Sequence, residues 1–257
     1  MFKSAPYLSV VIPAYNESKR LPLTLVDIDR HLSKEDFSYE ILVVNDGSKD
    51  DTAAVVEKLS RLVPHLRLAS YEPNQGKGYA VKFGMLEARG RYRLLMDADN
   101  STTVDQFSKI QPFLKEGYHV VIGSRDIKGA VVDPPQPFFK RILGNLGNIY
   151  IQLLFLPGIW DTQCGFKCFS EEVAEKVFPL SRVKRFGFDP EILYLAKKFG
   201  YKIKQVPVHW VNDAASLVTL VGANSYIKVL LDVTKLRFWF WFDVYGLRTG
   251  SSKNKPA

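Results

Sequence analysis

Two carboxylates separated by a single alanine, Asp97 and Asp99, end the run Tyr92-Arg93-Leu94-Leu95-Met96. The run reads as a buried strand, and carboxylates beside such a strand are unfavourable unless a cation compensates them. Paired strand-end aspartates offer hard oxygen ligands suited to Mg²⁺ or Mn²⁺, with the remaining coordination positions going to water and phosphate oxygens. That pattern fits a metal-bound nucleotide diphosphate. Asp-x-Asp is also common as a turn with a helix cap, and Ser101 and Thr102 follow here, so the reading depends on what else reaches the same place.

Three further polar clusters follow apolar runs in the same way: Ala14-Tyr15-Asn16-Glu17, Asn45-Asp46-Gly47-Ser48 and Gly123-Ser124-Arg125. Asp46, after EILVV, is either a turn aspartate or a carboxylate that accepts a hydrogen bond from a base edge. Lys77, between two glycines in NQGKGYAV, is a weak phosphate signal.

The elements that must hold these clusters repeat one scheme four times. LSVVIPAYNES reads as a strand from Leu8 to Ile12, broken by Pro13, then a turn and a helix to about Ser33. YEILVVNDGSKDDT opens the second unit, with Asp50 and Asp51 in the first turn of its helix, where the dipole favours them. LRLASYEPNQGKGYAVKFG and YRLLMDADNSTTVDQFSKI repeat the scheme, and HVVIGSRD adds a fifth strand. Alternating strands and helices imply an α/β fold with a mainly parallel sheet covered on both faces. Ligands of such open sheets bind beyond the carboxyl ends of the strands, so the four clusters are expected on one rim.

After residue 130 the pattern changes. DPPQPFFKR predicts a loop, ILGNLGNIYIQLLFLPGIW an apolar helix, TQCGFKCFS a strand, 188–199 a helix, KIKQVPVHW a strand and about 223–242 a long aromatic helix. Residues 1–222 are expected to form the catalytic domain, 223–250 an amphipathic interfacial region, and 251–257 a disordered basic tail.

Composition narrows the class. The 257 residues, 46% hydrophobic, suit one large domain with an appendage. Cys164 and Cys168 lack zinc-site partners and read as cytosolic thiols. Neither a signal sequence nor an uncharged apolar stretch of ~18 residues is present, so no membrane span is expected. A P-loop and a Gly-x-Gly-x-x-Gly after the first strand are both missing, which argues against a P-loop nucleotidase and a dinucleotide oxidoreductase. Lys+Arg and Asp+Glu balance at 22 each through residue 180, whereas residues 181–257 hold 13 against 5. The whole excess of +8 is therefore C-terminal, which suits an anionic partner, nucleic acid or a phospholipid surface.

Taken together, VVIPAYNE, VVNDGSKDDT, NQGKGYAV, MDADNST and GSRD resemble glycosyltransferase family 2, the inverting enzymes of GT-A fold, over roughly residues 7–245. DTQCGFKCF and FGFDPEILYLAKKFGYKIKQVPVHWV make the chain similar to the polyprenyl-phosphate branch, which takes in dolichyl-phosphate mannose synthases and β-glucosyltransferases. DADNST favours the glucosyl side, since mannose synthases usually carry a glutamine-bearing version. The resemblance implies that Pro13, Ala14, Tyr15, Asn16, Glu17 and Lys77 line the nucleotide pocket and that Asp46 contacts the base. Asp97 and Asp99, flanking Ala98, would bracket metal and diphosphate. Arg125 would bind the sugar-bearing phosphate or the acceptor phosphate, its fork matching phosphate oxygens. Arg141 would meet the acceptor phosphate. Asp189 and Glu191 are the carboxylates available as a base or as positioning groups. A phosphate monoester has a second pKa of about 6, so the acceptor is nucleophilic near neutral pH without a base. The glucosyl branch usually places a basic residue where this chain has Leu217, a contact that His209 or Lys228 would have to supply.

The resemblance therefore implies transfer of a sugar, glucose from UDP-glucose first, to a polyprenyl (dolichyl-type) phosphate. UDP-GlcNAc or GDP-mannose as donor and a sugar hydroxyl as acceptor stay open. So does a basic lipid-surface or nucleic-acid-binding protein without activity, although Asp97, Asp99 and Arg125 weigh against it and nucleic acid is not the expected partner. LFLPGIW and LRFWFWFDVYGLR, beside the C-terminal positive charge, suit peripheral attachment to an anionic membrane on its cytoplasmic side. A membrane partner or a homo-oligomer contact is the other use of that apolar surface.

Overall fold

Runs rich in Val, Ile and Leu become the strands of one sheet because their alternate residues meet two different hydrophobic layers. The computed structural model describes residues 5–135, 138–211 and 223–247. Among these, the strands are β1 (Leu8–Ala14), β2 (Tyr39–Asp46), β3 (Leu66–Tyr71), β4 (Tyr92–Leu95), β5 (Val120–Ser124), β6 (Val131–Asp133), β7 (Lys167–Ser170), β8 (Ile203–Pro207) and β9 (His209–Val211). The helices are α1 (Leu21–Leu32), α2 (Thr52–Leu59), α3 (Lys77–Glu87), α4 (Phe107–Lys115), α5 (Phe138–Leu154), α6 (Glu171–Val177), α7 (Phe188–Lys198) and α8 (Ala223–Trp241).

Seven strands join in the order β3-β2-β1-β4-β7-β5-β8, and β6 pairs with β9 in a separate parallel ribbon. Only β7 runs antiparallel to its neighbours, β4 and β5. Val10, Ile12, Ile41 and Val43 point to one layer with α1 and α4, while Val11, Leu42 and Val44 point to the other with α3, α6, α7 and α8. The period-two alternation of each strand thus divides the core into two halves across the sheet. The parallel strands β1, β2, β4 and β5 bring their carboxyl ends, and all four polar clusters, to one rim.

Three local expectations are corrected. β1 continues through Pro13 to Ala14. The pairing with β4 stops at Val11, so the side of β1 that would need the proline N–H has no strand beside it there. KIKQVPVHW is two strands: after Pro207 the chain leaves the main sheet, and β9 pairs with β6, a short strand that the loop reading of this region did not anticipate. Asp50 and Asp51 precede α2; the Asp50 carboxylate accepts from the Thr52 N–H at its start, at 3.1 Å.

α8 buries Val233, Leu236 and Phe240 in the core and leaves Leu231, Phe238 and Trp241 exposed, with Phe242 beside them. It lies against α5, where Tyr150 shares a 2.8 Å hydrogen bond with Thr234. Among the described residues no helix is long and apolar enough to cross a membrane. The segment 251–257 lies outside the described residues.

Candidate active site

The loops after β1 and β2 are fastened to each other by their own short polar residues. Asn16, held at φ +57°, donates its N–H to Ser48 Oγ at 3.0 Å and accepts from the Lys49 N–H at 2.8 Å. The Glu17 N–H donates to Thr52 Oγ1 at 2.8 Å and the Ser18 N–H to Asp50 at 3.2 Å. Ala14 is buried behind this pair of loops, while Pro13 and Tyr15 are half-buried. Asp46, also buried, accepts from the N–H groups of Gln75 and Gly76 at 2.7 and 2.9 Å and from Asn74 Nδ2 at 2.9 Å. Its two oxygens fix the turn that delivers Lys77 to the start of α3.

Lys77 Nζ meets Asp97 Oδ1 at 2.6 Å. Burial works against charge on both partners, yet the pair outweighs it. The Asp97 carboxyl is held below its usual value by Lys77, with help from Lys167 and Arg125, and Lys77 is held above its own. Glu17 is gripped by Arg20 at 2.6 and 2.8 Å. Its carboxyl is nonetheless raised, by burial first and by the fields of Asp99 and Asp97 in addition, with Arg20 opposing. Asp99 makes no ion pair among the described residues, and its Oδ1 accepts the Ser101 N–H at 3.0 Å. Three carboxylates therefore share one field, in which Lys77 pairs directly with Asp97 and not with Asp99. Such a donor set fits a hard divalent cation that takes its other ligands from diphosphate and water. It does not form a closed all-protein cage, since no group of three or more ligand residues converges among those described.

Behind the acidic rim lie two ion pairs, the first with a buried carboxylate and a half-buried guanidinium, the second buried on both sides. Arg125 forks onto Asp161 through Nε at 2.8 Å and Nη2 at 3.0 Å, and its backbone N–H reaches the same carboxylate at 3.0 Å. Asp161 also accepts the N–H groups of Gln163 and Cys164, which shapes the loop after α5. Burial opposes its charge, but Arg125 holds the Asp161 carboxyl below its usual value. The guanidinium sits 5.4 Å from the centroid of the Trp210 ring. The fork expected to meet phosphate is thus engaged by a carboxylate, leaving its remaining N–H groups for a ligand. Lys167, fully buried on β7, bonds Asp189 Oδ1 at 2.6 Å and the Cys164 carbonyl. Burial raises the Asp189 carboxyl against the pull of Lys167.

Glu191 is not at the rim surface. Its carboxylate is wholly buried and accepts from Ser181 Oγ, the N–H groups of Arg182 and Val183, and Tyr245 OH, at 2.5–3.0 Å. A carboxylate so enclosed by four donors suits the positioning role rather than the base role of the two expected for Glu191. Arg141 lies on α5 and Lys228 on α8, but their side chains fall outside the described residues. Leu217 falls outside them altogether. His209 is exposed on β9, where its backbone bonds Gln106.

The structure brings Glu17, Lys77, Asp97 and Asp99 together and sets Arg125 and Asp189 behind them. Sequence pattern alone does not mark Lys167, Asp161 or Gly165 as part of the site. A lysine in the apolar strand FKCF was the available signal for the first. A Cβ on Gly165 would stand 1.9 Å from Asp97 Oδ2, a proximity that no local pattern reveals. Both cysteines are free and buried, and burial pushes the Cys164 thiol up to about 11.

The model of glycosyl transferase family 2 matches residues 9–178. The dolichyl-phosphate beta-glucosyltransferase of Dictyostelium discoideum is 38% identical over 255 residues, covering 95% of this chain and 77% of its own. The Homo sapiens protein of that name is 34% identical over 243 residues, covering 90% and 74%. Glucosyl-3-phosphoglycerate synthase from Mycobacterium tuberculosis, solved with Mn²⁺, UDP and glucosyl-3-phosphoglycerate, superposes with a TM-score of 0.66 at 19% identity over 90% of this chain and 80% of its own. Mannosyltransferase PcManGT from Pyrobaculum calidifontis, solved with GDP-Man and Mn²⁺, gives 0.55 at 18% identity over 84% and 59%. At such identities the two solved structures attest a common fold, while the motif-bearing rim and the extended sequence identity attest descent. The chain belongs to glycosyl transferase family 2, in the group of the dolichyl-phosphate beta-glucosyltransferases.

Proposed function

We propose that this protein transfers glucose from UDP-glucose to a dolichyl-type polyprenyl phosphate with inversion at the anomeric carbon. The observation that carries the reading is the Asp99 carboxylate, without an ion pair among the described residues, beside the Lys77–Asp97 pair at the rim where the β1 and β2 loops are fastened together. The relatives' names supply the acceptor class and the sugar.

The donor diphosphate is held at the edge that Asp97, Asp99 and Lys77 form together, with the nucleoside over the 14–17 and 45–48 loops. Asp97 and Asp99 would hold Mg²⁺ or Mn²⁺, which when bound offsets charge on the diphosphate. A phosphate oxygen of the lipid forms the new bond to C1 as the bond from C1 to the UDP oxygen breaks, and both electrons of that bond leave with UDP. Lys77 and the Arg125 N–H groups that Asp161 does not take would offset the charge that develops. Asp189 is held by Lys167 and Glu191 by four donors, which suits an acceptor that is already an anion.

The lipid would reach this rim from an anionic membrane on whose cytoplasmic face the protein sits peripherally. Leu146, Ile149 and Leu153 form an exposed stripe on α5, and Leu231, Phe238, Trp241 and Phe242 another at α8, with Lys235 and Arg237 exposed beside it.

Calorimetric titration of UDP and GDP with Mn²⁺ and then with EDTA tests the donor site, and labelled UDP-glucose with dolichyl phosphate tests transfer. The expected result is Mn²⁺-dependent UDP binding, lost in Asp99→Ala, and an organic-extractable, acid-labile labelled product. Preference for GDP would move the reading to mannosyl transfer, and no product from any nucleotide sugar would overturn it.

A further inference from the structure

A continuous chain of contacts runs from the turn after α8 to Lys77. At Asp243, φ +52°, the polypeptide reverses and returns Tyr245 to the core, where its ring stacks on Phe240 with centroids 4.5 Å apart. Tyr245 OH donates to Glu191 Oε1 at 2.5 Å, and Arg182 adds a bond from Nη2 to the Val244 carbonyl at 3.0 Å. Glu191 in turn fixes the 181–183 segment through Ser181 Oγ at 2.8 Å and the N–H groups of Arg182 and Val183 at 2.8 and 3.0 Å.

That segment is itself a wall of the donor loop, the 74–78 turn that delivers Lys77 to the start of α3. The Tyr79 N–H, in the first turn of α3, has no acceptor within its own helix and donates to the Lys184 carbonyl at 3.1 Å. Lys184 Nζ bonds Gln75 Oε1 at 2.8 Å. A Cβ on Gly78 would lie 2.4 Å from the Val183 carbonyl oxygen and 2.8 Å from that of Arg185, so backbone meets backbone with no side chain between. A Cβ on Gly76 would likewise lie 2.6 Å from the Lys184 carbonyl oxygen, so Lys77, which pairs with Asp97, sits between two such contacts.

We propose that Glu191 and Tyr245 are positioning residues: together they latch the turn after α8 to the 181–185 segment, and through it set the start of α3 and the placement of Lys77. The consequence, which rests on the donor-site reading above, is that seating of the C-terminal helix and donor binding are linked. Whatever stabilises α8 in place, a membrane surface included, tightens the donor loop, and whatever lifts α8 loosens it. The linkage is reciprocal: a bound nucleotide protects the 181–183 amides.

The test uses the full chain with Tyr245→Phe, which keeps the ring on Phe240 and removes only the hydroxyl. Tyr201→Phe serves as control, since it deletes a similar tyrosine–glutamate bond, to Glu172 at 2.9 Å, elsewhere in the fold. Amide hydrogen exchange and UDP titration with Mn²⁺ are the readouts. A hydrogen bond to a charged group corresponds to roughly tenfold or more in a local opening equilibrium. Exchange at Arg182, Val183 and Tyr79 is therefore expected to rise together in Tyr245→Phe, with UDP binding weakened roughly fivefold or more. Glu191→Gln should exceed both effects, and Tyr201→Phe should show neither. Faster exchange confined to 181–183, with Tyr79 and UDP affinity unchanged, would overturn the proposal. If the wild-type chain binds no UDP, the donor-site reading fails, and the exchange pattern at Tyr79 still decides the latch.

Discussion

Substitution of Gly165 by alanine places one methyl group against the acidic rim. Gly165 lies outside the left-handed region, so its backbone suits alanine, and the effect is steric alone. The added Cβ would stand 1.9 Å from Asp97 Oδ2, 2.4 Å from Cγ and 2.8 Å from Oδ1, where ordinary contact begins at 3.4 Å. The obstacle is the end of a side chain, so Asp97 yields rather than the backbone. Its oxygen must retreat by about 1.5 Å, and a misplacement of about 1 Å at a reacting centre corresponds to about 100-fold in rate. Retreat also draws Oδ1 away from Lys77, now at 2.6 Å. We expect kcat/KM for UDP-glucose and dolichyl phosphate to fall about 100-fold, or about 2.7 kcal/mol of transition-state stabilisation. Stability should change little, because the Lys77–Asp97 side chains are 29% and 31% exposed and an ion pair in that setting contributes about 1 kcal/mol or less. The matching assay is metal-dependent UDP affinity in a double-mutant cycle. With Asp97 already alanine, Gly165→Ala has no carboxylate to displace, and the double variant should bind no worse than Asp97→Ala. Wild-type kcat/KM in Gly165→Ala, or a further independent loss in the double variant, would refute the steric reasoning.

Asp161→Asn removes the charge that Arg125 and three backbone N–H groups share, and breaking such a buried pair is expected to cost about 3–5 kcal/mol in urea titrations at pH 7. The folded pKa of Asp161 is depressed below the unfolded value of about 3.9, so its stabilisation is complete above that value and lost as pH falls through the folded one. The gap between wild type and variant should therefore narrow below about pH 4, and a gap independent of pH would rule out the ion pair as its source. Lys167→Met strands the Asp189 carboxylate in the core and should destabilise by about 3–5 kcal/mol; Lys167→Met with Asp189→Leu should recover part of that, as thermal melting will show.

From β1 to β5 the order of elements was legible because each of these strands and helices carries its own short-range period. α1, α7 and α8 lie where the apolar spacing placed them, and the four polar clusters share a rim because a parallel sheet puts every strand's carboxyl end on one side. Pro13 and KIKQVPVHW were misjudged because a proline's effect on a strand depends on what lies beside it, and the neighbours are chosen by the sheet.

At the site the same division holds. Asp97, Asp99, Asp46 and Lys77 could be picked out from residue type and spacing, since strand-end carboxylates and a glycine-flanked lysine carry their chemistry locally. The partners could not. That Arg125 is engaged by Asp161, that Lys167 neutralises Asp189, and that Glu191 is closed off by Tyr245, 54 residues away, are pairings between distant segments. The sequence by itself determined which elements form and which chemical groups stand at their ends, because backbone sterics and hydrophobic period act over a few residues. Only the tertiary structure decided which charges are spent on one another and which are left for a ligand, because ion pairing follows distance in space.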